Sequence, residues 1–236
     1  MSGCRVISIP GLTAGDFHNS GMPMSSKVYY PVNLDLNGKK CLVVGGGKVA
    51  CRKARTLMAF GARVTVVSPQ IDRMLAPSVR SGRIIHIHGK YHKKQLKGCC
   101  LAIAATDDPL VNRVVFKDAA VQNILVNVVD VPELCTFIVP SVVKRGPLVL
   151  GISTGGQSPM FAQKLRQQCE QCLTLAHGEF VRMLGAVRTR IKRQYATIPQ
   201  RKAIHRKLMD SKILDLVLAG KEAKAKVLLY EILHEK

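Results

Sequence analysis

The stretch Lys40-Cys41-Leu42-Val43-Val44-Gly45-Gly46-Gly47-Lys48-Val49-Ala50 decides the fold of this chain. Its first five residues are a short, largely apolar run, as suits a strand buried in a parallel sheet. Glycines end the run. A helix is expected from about Lys48 to Phe60, with Val49, Ala54, Leu57 and Met58 near one face. Gly61 stops it, as glycine does just past a helix end. Arg63-Val64-Thr65-Val66-Val67 is the second strand, closed by Ser68-Pro69. Strand, helix and strand in so short a span form one right-handed βαβ unit.

Gly45-x-Gly47-x-x-Ala50 thus lies where a dinucleotide fingerprint belongs, after a strand and at the opening of a helix. Gly45 permits the tight turn, and Gly47 lets the backbone approach a pyrophosphate. Ala50 replaces the third glycine and still allows close helix-to-strand packing. The run Gly45, Gly46, Gly47, Lys48, Val49, Ala50 is therefore the expected cofactor cradle, its amides facing the phosphates. The acid that commonly ends the second strand and holds the ribose is missing. Ser68 and Pro69 take its place, and Ser68 keeps a hydroxyl for that task. Without the acid, the motif by itself does not decide between NAD and NADP.

The alternation continues with strands at Arg83–His88, Cys100–Ala105 and Ile124–Val129, and a helix at Asn112–Gln122. Such a series means a parallel sheet with helices on both faces. After Pro140 the pattern changes. Ser141–Lys144 and Pro147–Ser153 read as a hairpin turning at Arg145-Gly146. Beyond Ser158 the period is helical, with breaks near Pro199 and Gly220. The expected class is α/β: a Rossmann-like, doubly wound parallel sheet, then a small β element and a C-terminal helical domain. The expected boundaries are a loose leader 1–28, a dinucleotide domain 29–139, a central element 140–166 and a basic helical domain 167–236.

Lys and Arg number 36 against 15 acids, a net charge of +21. Residues 166–236 hold 15 basic and 7 acidic side chains, so the charge is spread rather than confined to a tail. Eleven residues are Phe or Tyr and none is Trp, which poorly supplies a base-stacking platform. A diffuse positive field equally steers a small polyanion to a cleft. No nucleic-acid partner is expected, since no zinc-finger or aromatic-rich RNA-binding motif appears; nor is membrane association, since no stretch resembles a span of about 20 apolar residues. A cytoplasmic protein is the default. The eight cysteines sit mostly in core-like settings, and the lone Cys169/Cys172 pair lacks partner ligands. His86, His88 and His92 read as a solvent-facing strand edge, and no metal site is expected.

A second set of residues lies at the carboxyl ends of the strands, where doubly wound sheets bind ligands. Thr106 and Asp107 are placed to close over the cofactor. Asp130, at the end of an apolar strand, is the candidate proton acceptor. Its alternative reading is a turn or helix cap before Pro132. Gly155-Gly156, ahead of a helix beginning near Ser158, suggests a second anion site of backbone amides.

Taken with Tyr30-Pro31-Val32-Asn33-Leu34, Arg52-Lys53, Ala104–Asp108, Asn127–Pro132, Phe137–Ser141 and Ser153–Pro159, these segments resemble one family over about Tyr30–Tyr195. It is the precorrin-2 dehydrogenase and sirohydrochlorin ferrochelatase family, the dehydrogenase module of siroheme synthase. The resemblance implies NAD-dependent oxidation of precorrin-2 to sirohydrochlorin, with ferrous iron inserted to give siroheme in bifunctional members. It implies a homodimer whose central β element exchanges contacts between subunits, and a helical domain that covers the substrate. It places the family's essential aspartate on Asp130, and on Thr154 a serine that meets a substrate carboxylate. Asn127, Ser153, Thr154, Gly155 and Gly156 are accordingly expected at the substrate. Arg145, Lys164 and Arg166 are candidate carboxylate partners, although a solvated face is the commoner fate of any one of them.

Overall fold

The apolar run Lys40–Val44 is strand β1, the middle strand of a five-stranded parallel sheet. The structure is a computed structural model, and residues 27–234 are the described ones. The expected leader up to residue 26 lies outside them. Contacts divide the chain into two units, Ser25–Val139 and Pro140–Lys236.

In the first unit, β1 is followed by α1 (Lys48–Ala59), β2 (Arg63–Ser68), α2 (Ala76–Arg80), β3 (Ile84–His88), β4 (Leu101–Ala104), α3 (Pro109–Val121) and β5 (Leu125–Val128). The strand order is β3-β2-β1-β4-β5. The chain therefore builds outward from β1 on one side, then returns to build on the other. Alternate residues serve opposite faces, as the pleat requires. Cys41, Val43, Val64, Val66, Leu101 and Ile103 pack with Ala50, Cys51, Ala54 and Leu57 of α1. Leu42, Val44, Val67, Ala102, Ala104, Val126 and Val128 pack on the other face with Val115 and Ala119 of α3. Both faces are covered, which is why these strands read as continuous apolar runs.

The elements follow the sequence pattern, apart from the short helix α2, which the sequence does not lead one to expect, and one shift. Helix α3 begins at Pro109, a turn earlier than the periodicity of Asn112–Gln122 indicates. The cause is local: the Asp108 carboxylate accepts from the amides of Leu110 and Val111, and Pro109 fills the first helical position.

The second unit opens with the expected hairpin, β6 (Ser141–Arg145) and β7 (Leu148–Ile152), paired antiparallel. Helices α4 (Pro159–Cys172), α5 (Leu175–Gln194), α6 (Ile198–Asp210), α7 (Ile213–Leu218) and α8 (Glu222–His234) follow. Their core is Phe180, Met183, Val187 and Ile191 of α5 against Ile204, Leu208, Ile213, Leu229 and Leu233. The breaks at Pro199 and Gly220 are present, and two more occur. Thr174 and His177 form a capping box that starts α5, and the Ser211 hydroxyl accepts from the Ile213 amide where α7 begins. Polar capping residues carry these breaks, and apolar periodicity does not see them.

Among the described residues no helix is long and apolar enough to cross a membrane. Cys41, Cys51, Cys99 and Cys135 are free, buried thiols. Cys41 is fully buried, and loss of solvent, then its neighbours Cys100 and Cys99, push its pKa up to about 11 from 9.0. Between those pH values the unfolded chain releases a proton that the folded chain retains, so stability falls as pH rises from 9 to about 11. Denaturant melts across that range should show the fall, with a shallower slope in Cys41→Ala. An identical slope in the variant would remove Cys41 from the account.

Candidate active site

Each of the three loop glycines meets a different environment. Gly45 has φ 119, its N–H donates to the Val67 carbonyl, and a Cβ there would lie 2.2 Å from the Ala105 carbonyl oxygen. At Gly46 a Cβ would lie 1.7 Å from the Gln70 carbonyl oxygen and 2.6 Å from the Ser68 hydroxyl. Packing of the chain on itself explains both. A Cβ at Gly47 would meet nothing within 4 Å. Intramolecular packing gives no reason for glycine at that position, and the space it leaves is open.

Gly47 is also the N-cap of α1, and the first intrahelical bond runs from the Cys51 amide to its carbonyl. The amides of Lys48, Val49 and Ala50 fall in the first turn, where a helix supplies no acceptor. The first turn holds no acid, and Lys48 is exposed. Open space, unpaired amides and the positive end of the helix together suit a pyrophosphate. Ala50 is fully buried against the sheet, which is the close packing its small side chain permits.

Ser68 ends β2 and is 4% exposed, its hydroxyl set beneath Gly46 and 3.2 Å from His86 Nε2. His86 Nε2 also lies 3.1 Å from the Ser68 carbonyl oxygen. The sequence reading of His86 as solvent-facing therefore needs correction: β3 is the sheet edge, but this half-buried ring turns inward to Ser68. His88 is exposed and His92 caps a short turn. Pro69 is exposed beside the Ser68 end of the strand. Among the described residues, no group of three or more His, Cys, Asp or Glu is placed to hold a metal ion.

Thr106, past β4, is a brace. Its hydroxyl donates to the Asn112 side-chain oxygen at 2.8 Å and accepts from the Asp108 amide, while Asn112 donates back to the Thr106 carbonyl. Asp107, between them, is exposed.

Asp130 lies just past β5 with φ 60, a left-handed conformation uncommon outside glycine. Its side chain is exposed, and among the described residues nothing hydrogen-bonds its carboxylate. The short 3₁₀ turn Pro132–Leu134 is entered through Val131, without any side-chain cap. Asp130 is thus not consumed as a cap.

The turn is held from below. The Asn127 amide, 8% exposed, donates to the Phe137 carbonyl at 3.0 Å and to the Cys135 sulfur. The Cys135 sulfur accepts from the Val128 amide and contacts the Val128 and Val131 carbonyls. On the outside, the Lys27 ammonium donates to the carbonyls of Pro132, Glu133 and Cys135 at 3.2, 2.8 and 2.9 Å. Lys53 of α1 also lies at this turn. Its pKa is lowered by burial and then by Arg52, against opposing pulls from Asp130 and Cys135. Sequence reading named Asn127 and Asp130 but not Lys27 or Cys135, whose partners are mostly backbone carbonyls.

In the second unit, Ser153–Ser158 is a self-bonded turn. The Gly155 amide donates to the Ser153 hydroxyl, the Ser158 amide to the Thr154 hydroxyl, and the Gln157 amide to the Thr154 carbonyl. Gly155 and Gly156 have φ 64 and 89. Three of the amides in this turn are thus already paired. Arg145 is committed as well: its guanidinium donates to the carbonyls of Leu173 and Glu170, closing the end of α4. Arg166 pairs with Glu170 at 2.6 Å, and Lys164 is exposed.

Comparison with known proteins adds three family models that follow one another along the chain. Residues 32–141 match a model described as "Putative NAD(P)-binding". Residues 145–171 match "Sirohaem biosynthesis protein central", and residues 176–233 match "Sirohaem synthase dimerisation region". The last name falls on helices, not on the β element for which dimer contacts are expected from the sequence. It also extends the likeness well past Tyr195. Siroheme synthase of Methylobacillus flagellatus is 42% identical over 203 residues, 86% of this chain and 44% of that protein. That of Azotobacter vinelandii is 40% identical over 201 residues, 85% of this chain and 43% of that protein. The chain spans less than half the length of these relatives. Among solved structures, one titled SirC, precorrin-2 dehydrogenase, matches with TM-score 0.69 at 24% identity, covering 86% of this chain and all of that one. It shares the fold.

Proposed function

We propose that the chain, matched in turn by these three models, is a siroheme synthase relative that oxidises precorrin-2 to sirohydrochlorin with NAD. The observation that carries the reading is the pairing, at the carboxyl ends of one sheet, of an open glycine cradle with an unbonded carboxylate. Strands β1 and β4 mark the point where the sheet reverses its building direction, the usual place for a ligand crevice.

Bound at the cradle, NAD supplies a hydride acceptor. The rest is the work of this chain's residues. Gly47 and the first amides of α1 hold the pyrophosphate, with Lys48 adding charge. Ser68 serves the ribose end, and Thr106 fixes the loop that borders the site. Asp130 accepts the proton that must leave the macrocycle when the hydride departs, so the products are sirohydrochlorin, NADH and one proton. Asn127 acts from beneath, by holding the Asp130 turn. Ser153, Thr154, Gly155 and Gly156 form the turn assigned to substrate, with Gly156 bringing backbone close without a side chain. The net charge of +21 attracts a substrate rich in carboxylates.

Ferrous iron is the further substrate of a second step, in which Asp130 takes up pyrrole protons as the metal enters. A homodimer formed through the helical region, acting in the cytoplasm, completes the reading. The test is a coupled assay. Purified protein with NAD and precorrin-2 should give NADH absorbance and then the sirohydrochlorin spectrum, and added ferrous iron should bring the siroheme band. Folded protein that binds NADH or sirohydrochlorin without forming NADH would overturn it in favour of a non-catalytic binding protein.

A further inference from the structure

We propose that Lys27 is a positioning residue for Asp130, a role that rests on Asp130 being the base. The two side chains need not touch. Lys27 acts on the backbone that carries the carboxylate. Its ammonium has three N–H donors, and they meet the three carbonyls of Pro132, Glu133 and Cys135. All three belong to the five residues that follow Asp130.

A left-handed aspartate persists only where the surrounding structure over-determines it. Here the determination comes from two sides. Asn127 and the Cys135 sulfur fix the inner side, through the Phe137 carbonyl, the Val128 amide and the Val131 carbonyl. On the outer side, the 3₁₀ turn Pro132–Leu134 and its exit present the carbonyls of Pro132, Glu133 and Cys135; the Pro132 carbonyl also accepts from the Cys135 amide, while among the described residues those of Glu133 and Cys135 have no other donor. One cation gathers them, through charge-assisted hydrogen bonds that are stronger than neutral ones. A neutral side chain does not replace it, since it lacks both the charge and the third donor. Without Lys27 the turn gains freedom, and Asp130 spends less time at the angle from which it takes a proton.

The experiment compares the full chain with Lys27→Met, Lys27→Arg and Asp130→Asn in the NAD and precorrin-2 assay. In Lys27→Met, kcat should fall about tenfold, with NAD Kd and KM for NAD within twofold of the parent. Lys27→Arg should recover part of the loss, because it keeps the charge. A purely structural anchor would lower the thermal midpoint and leave the kcat of folded protein unchanged; that outcome overturns the proposal. If Lys27→Met does not fold, Lys27→Gln takes its place, and parental kcat in that variant is equally fatal. Turnover surviving in Asp130→Asn removes the base reading and this proposal together. Turnover lost there but kept in Lys27→Met removes this proposal alone.

Discussion

Asp130→Asn is expected to lower kcat for precorrin-2 oxidation by at least about a hundredfold, the usual scale for losing a positioned general base. NAD affinity should stay within about twofold. Asparagine is the right replacement for a physical reason. Asp130 has φ 60, and asparagine is among the few residues that tolerate this conformation, whereas alanine would add backbone strain to the loss of the carboxylate. No described group hydrogen-bonds the Asp130 side chain, so its replacement leaves no hydrogen-bond partner unsatisfied, and Lys53 loses only one of several charge interactions. Stability should therefore change little, and the kinetic loss reports on proton acceptance. Equal loss of NAD binding and turnover would instead place Asp130 in the cofactor cradle.

The second large effect separates the loop glycines. Gly47→Asp should leave the fold intact or slightly more stable while weakening NAD at least about a hundredfold. Gly47 is the N-cap of α1 with φ −76 and ψ −176, angles any residue adopts. Aspartate is a favoured N-cap, worth about 1 kcal/mol over an unfavourable residue, and its charge suits the positive helix end. The same charge would stand in the open space beside the amides that receive the pyrophosphate. Two like charges about 4 Å apart near a protein surface repel by roughly 4 kcal/mol, more than enough for the stated loss. Gly45→Ala should do the reverse. With φ 119 and a Cβ 2.2 Å from the Ala105 carbonyl oxygen, it should destabilise the first unit by about 2–3 kcal/mol. Thermal melts paired with NAD titration distinguish the two glycines. A Gly47→Asp protein that binds NAD normally would mean the cradle lies elsewhere.

Much of the first unit is legible in the sequence because its strands are buried on both faces. Leu42, Val43 and Val44 serve two cores at once, so the run is apolar throughout and punctuated by glycine. The cradle is legible for the same reason, since its glycines follow such a strand. Asp130 is legible as a charged residue ending an apolar strand. What holds it is not. Lys27 meets backbone carbonyls more than a hundred positions away, and carbonyls carry no residue-specific mark. His86 shows the same limit: strand alternation indicates solvent, while the geometry of the sheet edge turns the ring to Ser68. In the helical unit, apolar period finds the cores but not the breaks at Thr174 and Ser211, which are made by capping.

The reach of Lys27 bears on how this domain is divided for laboratory work. The matched dinucleotide model begins at residue 32, five positions beyond Lys27. A fragment trimmed to that boundary would retain all five strands and the glycine cradle. It would nevertheless lack the ammonium that ties down the turn after Asp130. Feeble turnover from such a fragment would report where the scissors fell, not what the longer chain can do.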